Sequence, residues 1–193
     1  MPPQYPQPLR RSPYNPAWNL IAIVSLLWGI HIANVGLFDG RLLLHGIHPR
    51  QIDELQGILW APFLHGNFGH LIANTLPLVT LGGLIMLGKA KDFWAVTIMS
   101  AFASGLGTWL IGAPNSVHIG ASGVVFGYFG YLLLRGYFDR SAFSITASML
   151  VIIFYGSFLW GVLPNQPGVS WEGHLFGFLG GCLSAWLFSR SAK

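Results

Sequence analysis

A serine set among small residues is the first candidate for chemistry in this sequence. It is Ser122, in the run HIGASGVVFG at 118–127, with Gly120 two residues before it and Gly123 directly after it. Glycine leaves the backbone open to a substrate and accepts the sharp turns that nucleophile sites often need. Small residues also let two membrane helices pack closely, so this run alone fits a packing surface as well as a nucleophile.

A histidine near the end of the chain could supply the base that a serine nucleophile needs. His174 opens the run HLFGFLGG and is the only histidine of the late segments. Glycines four residues apart follow each of the two polar residues: Gly123, Gly127, Gly177 and Gly181. Such spacing puts each pair on one helix face, so packing of the two faces would bring Ser122 and His174 to one seam. The alternative is that His174 only hydrogen-bonds to a backbone carbonyl.

A third polar cluster, HGNFGHLIAN, could supply hydrogen-bond donors. His70 and Asn74 are four residues apart in it, so on a helix they share one face. Donors aimed at one point are what an oxyanion hole requires. A zinc site built from His65, His70 and His174 is an alternative, but the H-E-x-x-H spacing is missing and we expect no Asp or Glu in the buried segments. The same expectation argues against a proton or ion path.

The carboxylate nearest to His174 in sequence is a poor third member of a catalytic triad. A triad needs an acid oriented on the histidine. Glu172 is two residues before His174, and on a helix that spacing points it to a different face. The residue pattern therefore favours a Ser–His dyad over a triad.

The composition predicts a polytopic membrane protein. The chain has 193 residues, of which 53% are hydrophobic and 8% are charged, whereas soluble domains carry about 25% charged residues. The mean hydropathy is +0.56. One cysteine, Cys182, excludes a disulfide within the chain. We expect a lipid bilayer as the surroundings and no cofactor, metal or nucleic-acid partner.

Six apolar segments, most of them near the ~20 residues that span a bilayer as a helix, predict an all-α bundle. They lie at about 17–38, 68–87, 93–111, 119–134, 142–163 and 171–188. Together they form one membrane domain, 17–190, with a long outer loop at 39–64. The Pro-rich residues 1–16 predict a disordered cytoplasmic tail, and 191–193 form a short C-terminal tail.

The basic residues predict that both termini are cytoplasmic. In that orientation eight of the ten Lys and Arg residues lie inside, and the outer loops at 112–118 and 164–170 carry none. From Arg135, near the inner surface, back to Ser122 the helix rises ~20 Å, and from Arg190 back to His174 it rises ~24 Å. The serine and the histidine are therefore predicted at one depth, inside the membrane near its outer face.

These motifs, in this order and with six segments, resemble the rhomboid family of intramembrane serine proteases over about 17–190. The likeness is carried by GASG at 120–123, GHLFGFLGG at 173–181, and the spaced residues His65, His70 and Asn74. The resemblance implies that Ser122 is the nucleophile and His174 the general base. It assigns His70 and Asn74, with the Ser122 backbone N–H, to the oxyanion hole.

The resemblance also implies supporting roles around the dyad. Gly120 leaves room beside the oxyanion hole, and His65 organises the outer loop. Phe126, one helical turn beyond Ser122, is expected to stack on the ring of His174, where the family usually has Tyr.

Some positions depart from the family's pattern. The first loop lacks the Trp-Arg pair of bacterial members, and Ala73 and Pro77, at the predicted gate, are smaller or less aromatic than expected. These differences concern gating contacts and leave the dyad untouched. The loop at 39–64 fits either a hairpin within the outer leaflet or a loop resting on the surface. The other histidines are expected to be structural or solvated: His31, His45, His48 and His118.

The sequence therefore predicts an intramembrane serine endopeptidase, with a bacterial inner membrane as its expected location. Its substrates are single-span or polytopic membrane proteins, cut in or near a transmembrane helix that enters between segments two and five. The loop at 164–170 is expected to act as a lid. The alternatives are a small transporter and an inactive rhomboid-like protein that binds membrane clients, against which the intact Ser122, His174 and Gly120 argue.

Overall fold

The protein is built from α-helices, joined by turns and by one long loop between the first two long helices. The computed structural model describes residues 17–164 and 168–190, so the two predicted tails and residues 165–167 of the predicted lid lie outside the described part. The α-helices of the described part are α1 Ala17–Leu37, α2 Gly57–Trp60, α3 Phe68–Lys89, α4 Phe93–Ile111, α5 Ser122–Asp139, α6 Ala142–Tyr155 and α7 Trp171–Arg190. The described part contains no β-strand, and one isolated antiparallel bridge joins Ile47 to His118.

Each predicted apolar segment corresponds to a long helix, with differences at the ends. Helix α4 has the predicted bounds, and α1, α3 and α7 differ from them by one or two residues. Helix α5 begins at Ser122 rather than at residue 119, because Gly120 has a φ of 117°, which a right-handed helix does not contain. It continues to Asp139, whose carboxylate pairs with Arg135 one turn earlier. Helix α6 ends at Tyr155, and the chain continues as the 3₁₀ turn Gly156–Val162.

The outer surface of the bundle is apolar. Three helical stretches are long and apolar enough to cross a membrane, judged by length and composition: Ala17–Leu37, Phe68–Ile111, which contains α3 and α4, and Ala142–Val162. Large side chains such as Ile98 and Phe154 are 65% and 72% exposed. Apolar side chains on the outside of hydrogen-bonded helices are what a hydrocarbon environment favours.

Helix α5 is the centre of the bundle. Buried side chains occur along its whole length, and the largest enclosed ones include Tyr128, Phe129 and Tyr131. A helix that is buried all round must pack against neighbours on every face, and here the neighbours are α3, α4, α6 and α7. The Tyr128 hydroxyl is satisfied at 2.7 Å by the Thr97 hydroxyl of α4. The start of α5, and with it Ser122, is therefore fixed relative to four other helices.

Glycines bring α5 and α7 into backbone contact. A methyl group added at Gly177 would overlap the carbonyl of Gly123, and one at Gly181 would overlap the carbonyl of Gly127. A methyl group at Gly127 would lie 3.0 Å from the carbonyl oxygen of Gly177. The predicted pairing of the two glycine faces is confirmed. Helix α4 packs against the same glycines of α5: a methyl group at Gly123 would overlap the side chain of Ser104, and one at Gly127 that of Ser100.

The long loop between α1 and α3 folds onto the segment that precedes Ser122. Ile47 and His118 exchange two backbone hydrogen bonds, of 2.9 and 3.0 Å. The guanidinium of Arg50 donates to the carbonyls of Leu110 and Gly112, at 3.1 and 2.9 Å. This places its positive charge at the C-terminal end of α4, where the helix dipole favours a cation. The loop thus holds the segment before α5 from one side.

Buried charges join the helices at the opposite end of the bundle. Arg135 pairs with Asp92, in the turn between α3 and α4, at 3.0 Å and with Asp139 at 3.3 Å. The hydroxyl of Tyr131 donates a further hydrogen bond to Asp92 at 2.8 Å. Buried charges persist where they are paired and hydrogen-bonded. This network ties the C-terminal end of α5 to the α3–α4 turn.

Gly177→Ala is expected to destabilise the protein by about 1–3 kcal/mol, because the added methyl group must push α7 away from the Gly123 carbonyl. Thermal unfolding in detergent measures the effect. Gly29→Ala on α1 is the matched control, since a methyl group there meets no atom within 4 Å and alanine favours a helix. Equal unfolding midpoints for the two variants would contradict the close α5–α7 contact.

Candidate active site

The polar residues singled out by the sequence line one cavity. It has a volume of about 790 Å³, and its wall includes Ser122, Phe126 and His174 together with His70 and Asn74. These side chains come from α5, α7 and α3, which are far apart in sequence. The cavity also reaches the residues at the start of α7 and the segment before α5. The three predicted clusters therefore meet in space.

Ser122 is the first residue of α5, and the loop before it is fixed by hydrogen bonds. The Gly120 N–H donates to the Ala61 carbonyl at 2.8 Å. The Ala121 N–H donates to Nε2 of His65 at 3.4 Å. Both partners belong to the region between α1 and α3. The half-buried Ser122 thus starts its helix at a position set by the loop between α1 and α3.

The tautomer of His174 is set by the 3₁₀ turn that follows α6. Its Nδ1 lies 2.9 Å from the carbonyl oxygen of Gly161. A carbonyl can only accept, so Nδ1 carries the proton, and in the neutral ring Nε2 then keeps a free lone pair. The hydrogen bond from His174 to a backbone carbonyl, which the sequence analysis left open as an alternative to a catalytic role, is present. It is also the bond that makes Nε2 available as a base.

Phe126 stacks on the ring of His174, as predicted. The ring centroids are 4.0 Å apart and the ring planes differ by 7°. Phe126 also stacks on Phe158, at 4.9 Å and 20°. A side chain at Gly161 would come within 2.7 Å of the Phe126 ring. Glycine at this position therefore lets the carbonyl that orients His174 approach beside the stack.

Within the described residues, no hydrogen bond joins the Ser122 hydroxyl to the His174 ring. The two groups share the cavity, and Nε2 of His174 is without a proton. Hydrogen bonds of catalytic groups are often long in unliganded sites and tighten when substrate binds. The arrangement therefore supplies a serine and an oriented base in one cavity.

His70 and Asn74 both face Gly120. A methyl group on Gly120 would lie 2.7 Å from Nε2 of His70 and 3.8 Å from Nδ2 of Asn74. The Asn74 amide nitrogen donates one hydrogen bond, 3.0 Å, to the His70 carbonyl, and its second hydrogen is left for another acceptor. Asn67 caps α3 by accepting the His70 N–H at 2.8 Å. The Asn74 amide donor and the His70 ring nitrogen, which donates when Nε2 carries the proton, therefore converge on a space that only glycine leaves open.

His65 lies behind these donors. Its ring is 1% exposed, and its centroid is 5.1 Å from that of His70. Burial, with the neighbouring His70 as the second cause, lowers the pKa of His65 to about 4. The ring is therefore neutral near pH 7, which lets Nε2 accept the Ala121 N–H. In this way His65 links the end of the loop between α1 and α3 to the residue before Ser122.

Glu172 lies in the cavity wall, although the sequence predicts no carboxylate in the buried segments. It is 5% exposed in the first turn of α7, so that expectation is wrong. The positive end of the α7 dipole favours a carboxylate at this place. In the described part of the chain Glu172 makes no hydrogen bond to His174, consistent with its prediction as a poor third member of a triad.

The remaining predicted residues lie around the cavity or away from it. His118 lines the cavity; burial lowers its pKa, and the negative charge of Glu172 opposes that shift. Ala73 is exposed in the cavity wall, while Pro77 is buried within α3.

The other histidines are structural or exposed: His31 packs edge-on to Phe68, His48 hydrogen-bonds to the Leu44 carbonyl, and His45 is exposed. In 17–164 and 168–190, no three His, Cys, Asp or Glu side chains cluster closely enough to hold a metal.

Several known proteins are similar to this chain. Residues 53–191 match the sequence profile described as the Rhomboid domain. An uncharacterized protein of Mycobacterium tuberculosis is 39% identical, over 96% of this chain and 82% of its own length. An uncharacterized protein of Mycobacterium leprae is 44% identical, over 77% of this chain and 62% of its own. Rhomboid-like protease 5 of Toxoplasma gondii is 27% identical, over 74% of this chain and 17% of its own.

Acidification is expected to destabilise the protein through His65. Its folded pKa of about 4 lies below the ordinary value of 6.5, so between these pH values the unfolded chain binds more protons and stability falls as the pH drops. His65→Gln can still accept the Ala121 N–H but does not titrate. Between pH ~7 and ~4.5 it should lose less stability than wild type, by on the order of 2 kcal/mol. Unfolding midpoints in detergent measure this, and identical pH dependence would contradict it.

Proposed function

The chain belongs to the rhomboid family, and from this premise we propose that it is an intramembrane serine endopeptidase that uses a Ser122–His174 dyad. The observation that carries the proposal is the orientation of His174. The Gly161 carbonyl holds its Nδ1 proton and Phe126 holds its ring plane, which leaves Nε2 free in the cavity that Ser122 lines. A serine becomes an effective nucleophile when such a base takes its proton.

In the proposed reaction Ser122 Oγ attacks the carbonyl carbon of a substrate peptide bond while Nε2 of His174 takes the hydroxyl proton. His174 then gives this proton to the leaving amine, and an acyl-enzyme remains on Ser122. Water, deprotonated by the same histidine, hydrolyses the acyl-enzyme and restores the serine. The carboxylate of Glu172 takes no part in these steps.

His70 and Asn74, with the Ser122 backbone N–H, are proposed to stabilise the oxyanion. Their side-chain nitrogens converge beside Gly120, where no Cβ occupies the space. Preorganised donors aimed at developing negative charge contribute strongly when water is excluded. His65 and Gly120 support this arrangement by fixing the loop that carries it.

The substrates are proposed to be membrane proteins cut in or near a transmembrane helix. A helical carbonyl is shielded from attack, so the substrate must unwind locally at the cavity. The wall includes Ala73 on α3 and Phe158 in the turn after α6, which supports entrance between these two elements. Gly168, Val169 and Ser170 also line it, which fits a covering role for the loop that ends there.

The proposal also includes six membrane spans, with both termini in the cytoplasm. The spans are α1, α3, α4, α5, α6 with its 3₁₀ extension, and α7, within the single domain 17–190. Helices α5 and α7 are less apolar than the others because they pack against protein in the centre of the bundle. Relatives in Mycobacterium support a bacterial inner membrane as the location.

Ser122→Ala and His174→Ala are each expected to lower the rate of cleavage of a model single-span substrate by ~10⁴ or more. The assay uses purified protein in liposomes, and mass spectrometry of the fragments locates the cut. His45→Ala is the control, because this exposed histidine lies away from the cavity. Efficient cutting by Ser122→Ala would overturn the proposal. Client binding without cutting by wild type would favour the inactive, client-binding alternative.

Asn74→Ala, in the same assay, is expected to lower kcat by ~10²–10³ with little change in KM, because the lost hydrogen bond forms to the transition state. A change confined to KM would instead assign Asn74 to substrate binding.

The orientation is tested with single cysteines in a Cys182→Ala background. Ala113 and Lys91 are exposed in the loops after and before α4. A membrane-impermeant maleimide added to intact cells should label Ala113→Cys, and should label Lys91→Cys only after the membrane is opened. The reverse pattern would contradict the proposed orientation.

A further inference from the structure

His118 is hydrogen-bonded through both ring nitrogens. Its Nε2 lies 2.7 Å from the Ser116 hydroxyl oxygen, and its Nδ1 lies 2.8 Å from the Ser170 hydroxyl oxygen. Ser116 belongs to the segment before α5, and Ser170 directly precedes α7. The ring therefore bridges the beginnings of the two helices that carry Ser122 and His174.

The proton positions in this bridge follow from the Ala113 carbonyl, which can only accept a hydrogen bond. The Ser116 hydroxyl donates to the Ala113 carbonyl at 2.6 Å, which uses its one hydrogen. Nε2 of His118 must therefore donate to the Ser116 oxygen. In the neutral ring Nδ1 is then an acceptor, and the Ser170 hydroxyl donates to it. The bridge is a directed chain from Ser170 through His118 and Ser116 to Ala113.

The backbone at both ends of this bridge is also held. His118 exchanges two backbone hydrogen bonds with Ile47 in the outer loop. Ser170 accepts the His174 N–H at 3.1 Å through its carbonyl oxygen. A methyl group on Gly112 would come within 3.1 Å of Nε2 of His118, so the space around the ring is tight. One imidazole thus connects the outer loop, the serine segment and the residue that anchors the His174 backbone.

We propose that His118 is a positioning residue, which fixes the start of α7 relative to the start of α5 and so sets the approach of His174 to Ser122. The inference rests on the proposed protease function. The glycine contacts fix the separation of the two helices from Gly123 and Gly177 onward, which is directly after Ser122 and three residues after His174. The His118–Ser170 hydrogen bond restrains the N-terminal ends of α5 and α7, where Ser122 and His174 lie. Small displacements of reacting groups cost large factors in rate.

The test is a double-mutant cycle on the hydrogen bond. His118→Ala and Ser170→Ala should each lower kcat by ~10- to 100-fold and change KM less than ~2-fold. The kcat of the double variant should be no lower than that of the less active single variant, because both changes remove the same hydrogen bond. His118→Gln keeps one donor and one acceptor and should retain more activity than His118→Ala. The control is again His45→Ala.

Multiplicative losses in the double variant, or unchanged kcat in either single variant, would overturn the inference. If His118→Ala does not fold, Ser170→Ala decides, since it removes only one hydroxyl group. Ring ¹⁵N shifts of His118 provide a readout that needs no proteolysis: Nε2 should be protonated, and Ser170→Ala should shift the Nδ1 signal. If wild type cuts nothing while these shifts are as expected, the proposed function fails and the bridge itself stands. The opposite tautomer would overturn the bridge whatever the activity.

Discussion

The approach of α5 and α7 through their glycines is the constraint on which the candidate site depends. In lipid, helices gain little from hydrophobic attraction to one another, and close van der Waals packing takes its place. The carbonyls of Gly123 and Gly127 occupy the space where side chains on Gly177 and Gly181 would stand. Ser122 and His174 stand just before these contacts on their own helices. The residues that bring the helices together therefore also set how far apart the two polar groups can be.

The glycine contacts between α5 and α7 fix the distance between the two helices. Hydrogen bonds to loop residues fix the orientation of the groups in the site. The Gly161 carbonyl orients His174, the Ala61 carbonyl holds Gly120, and the neutral ring of His65 holds Ala121. In a bundle with few charged residues, a loop carbonyl satisfies a buried polar group without the desolvation cost of a second charge. The 3₁₀ turn after α6 and the loop between α1 and α3 are thus parts of the site, although neither carries a candidate reacting group.

The sequence predicts what depends on spacing along one helix, and it misses what depends on loops. Glycines four apart predicted the α5–α7 seam, and Phe126 one turn after Ser122 predicted the stack on His174. The 3₁₀ turn and its Gly161 carbonyl carry no comparable signal, because the contact joins residues on separate elements. The expectation of no carboxylate in the buried segments is wrong for Glu172, because its burial depends on what packs around the first turn of α7.

The same contacts explain how a dyad could work without an acid. In a triad the carboxylate orients the histidine and stabilises the imidazolium that forms. Here the Gly161 carbonyl supplies the orientation through Nδ1. The parallel Phe126 ring, 4.0 Å away, presents its negative π face to the imidazole and would attract the cation as it forms. Phe126 has no hydroxyl group, so this role requires only the face of the ring. The oriented base is therefore a product of α5, α7 and the turn after α6 acting together.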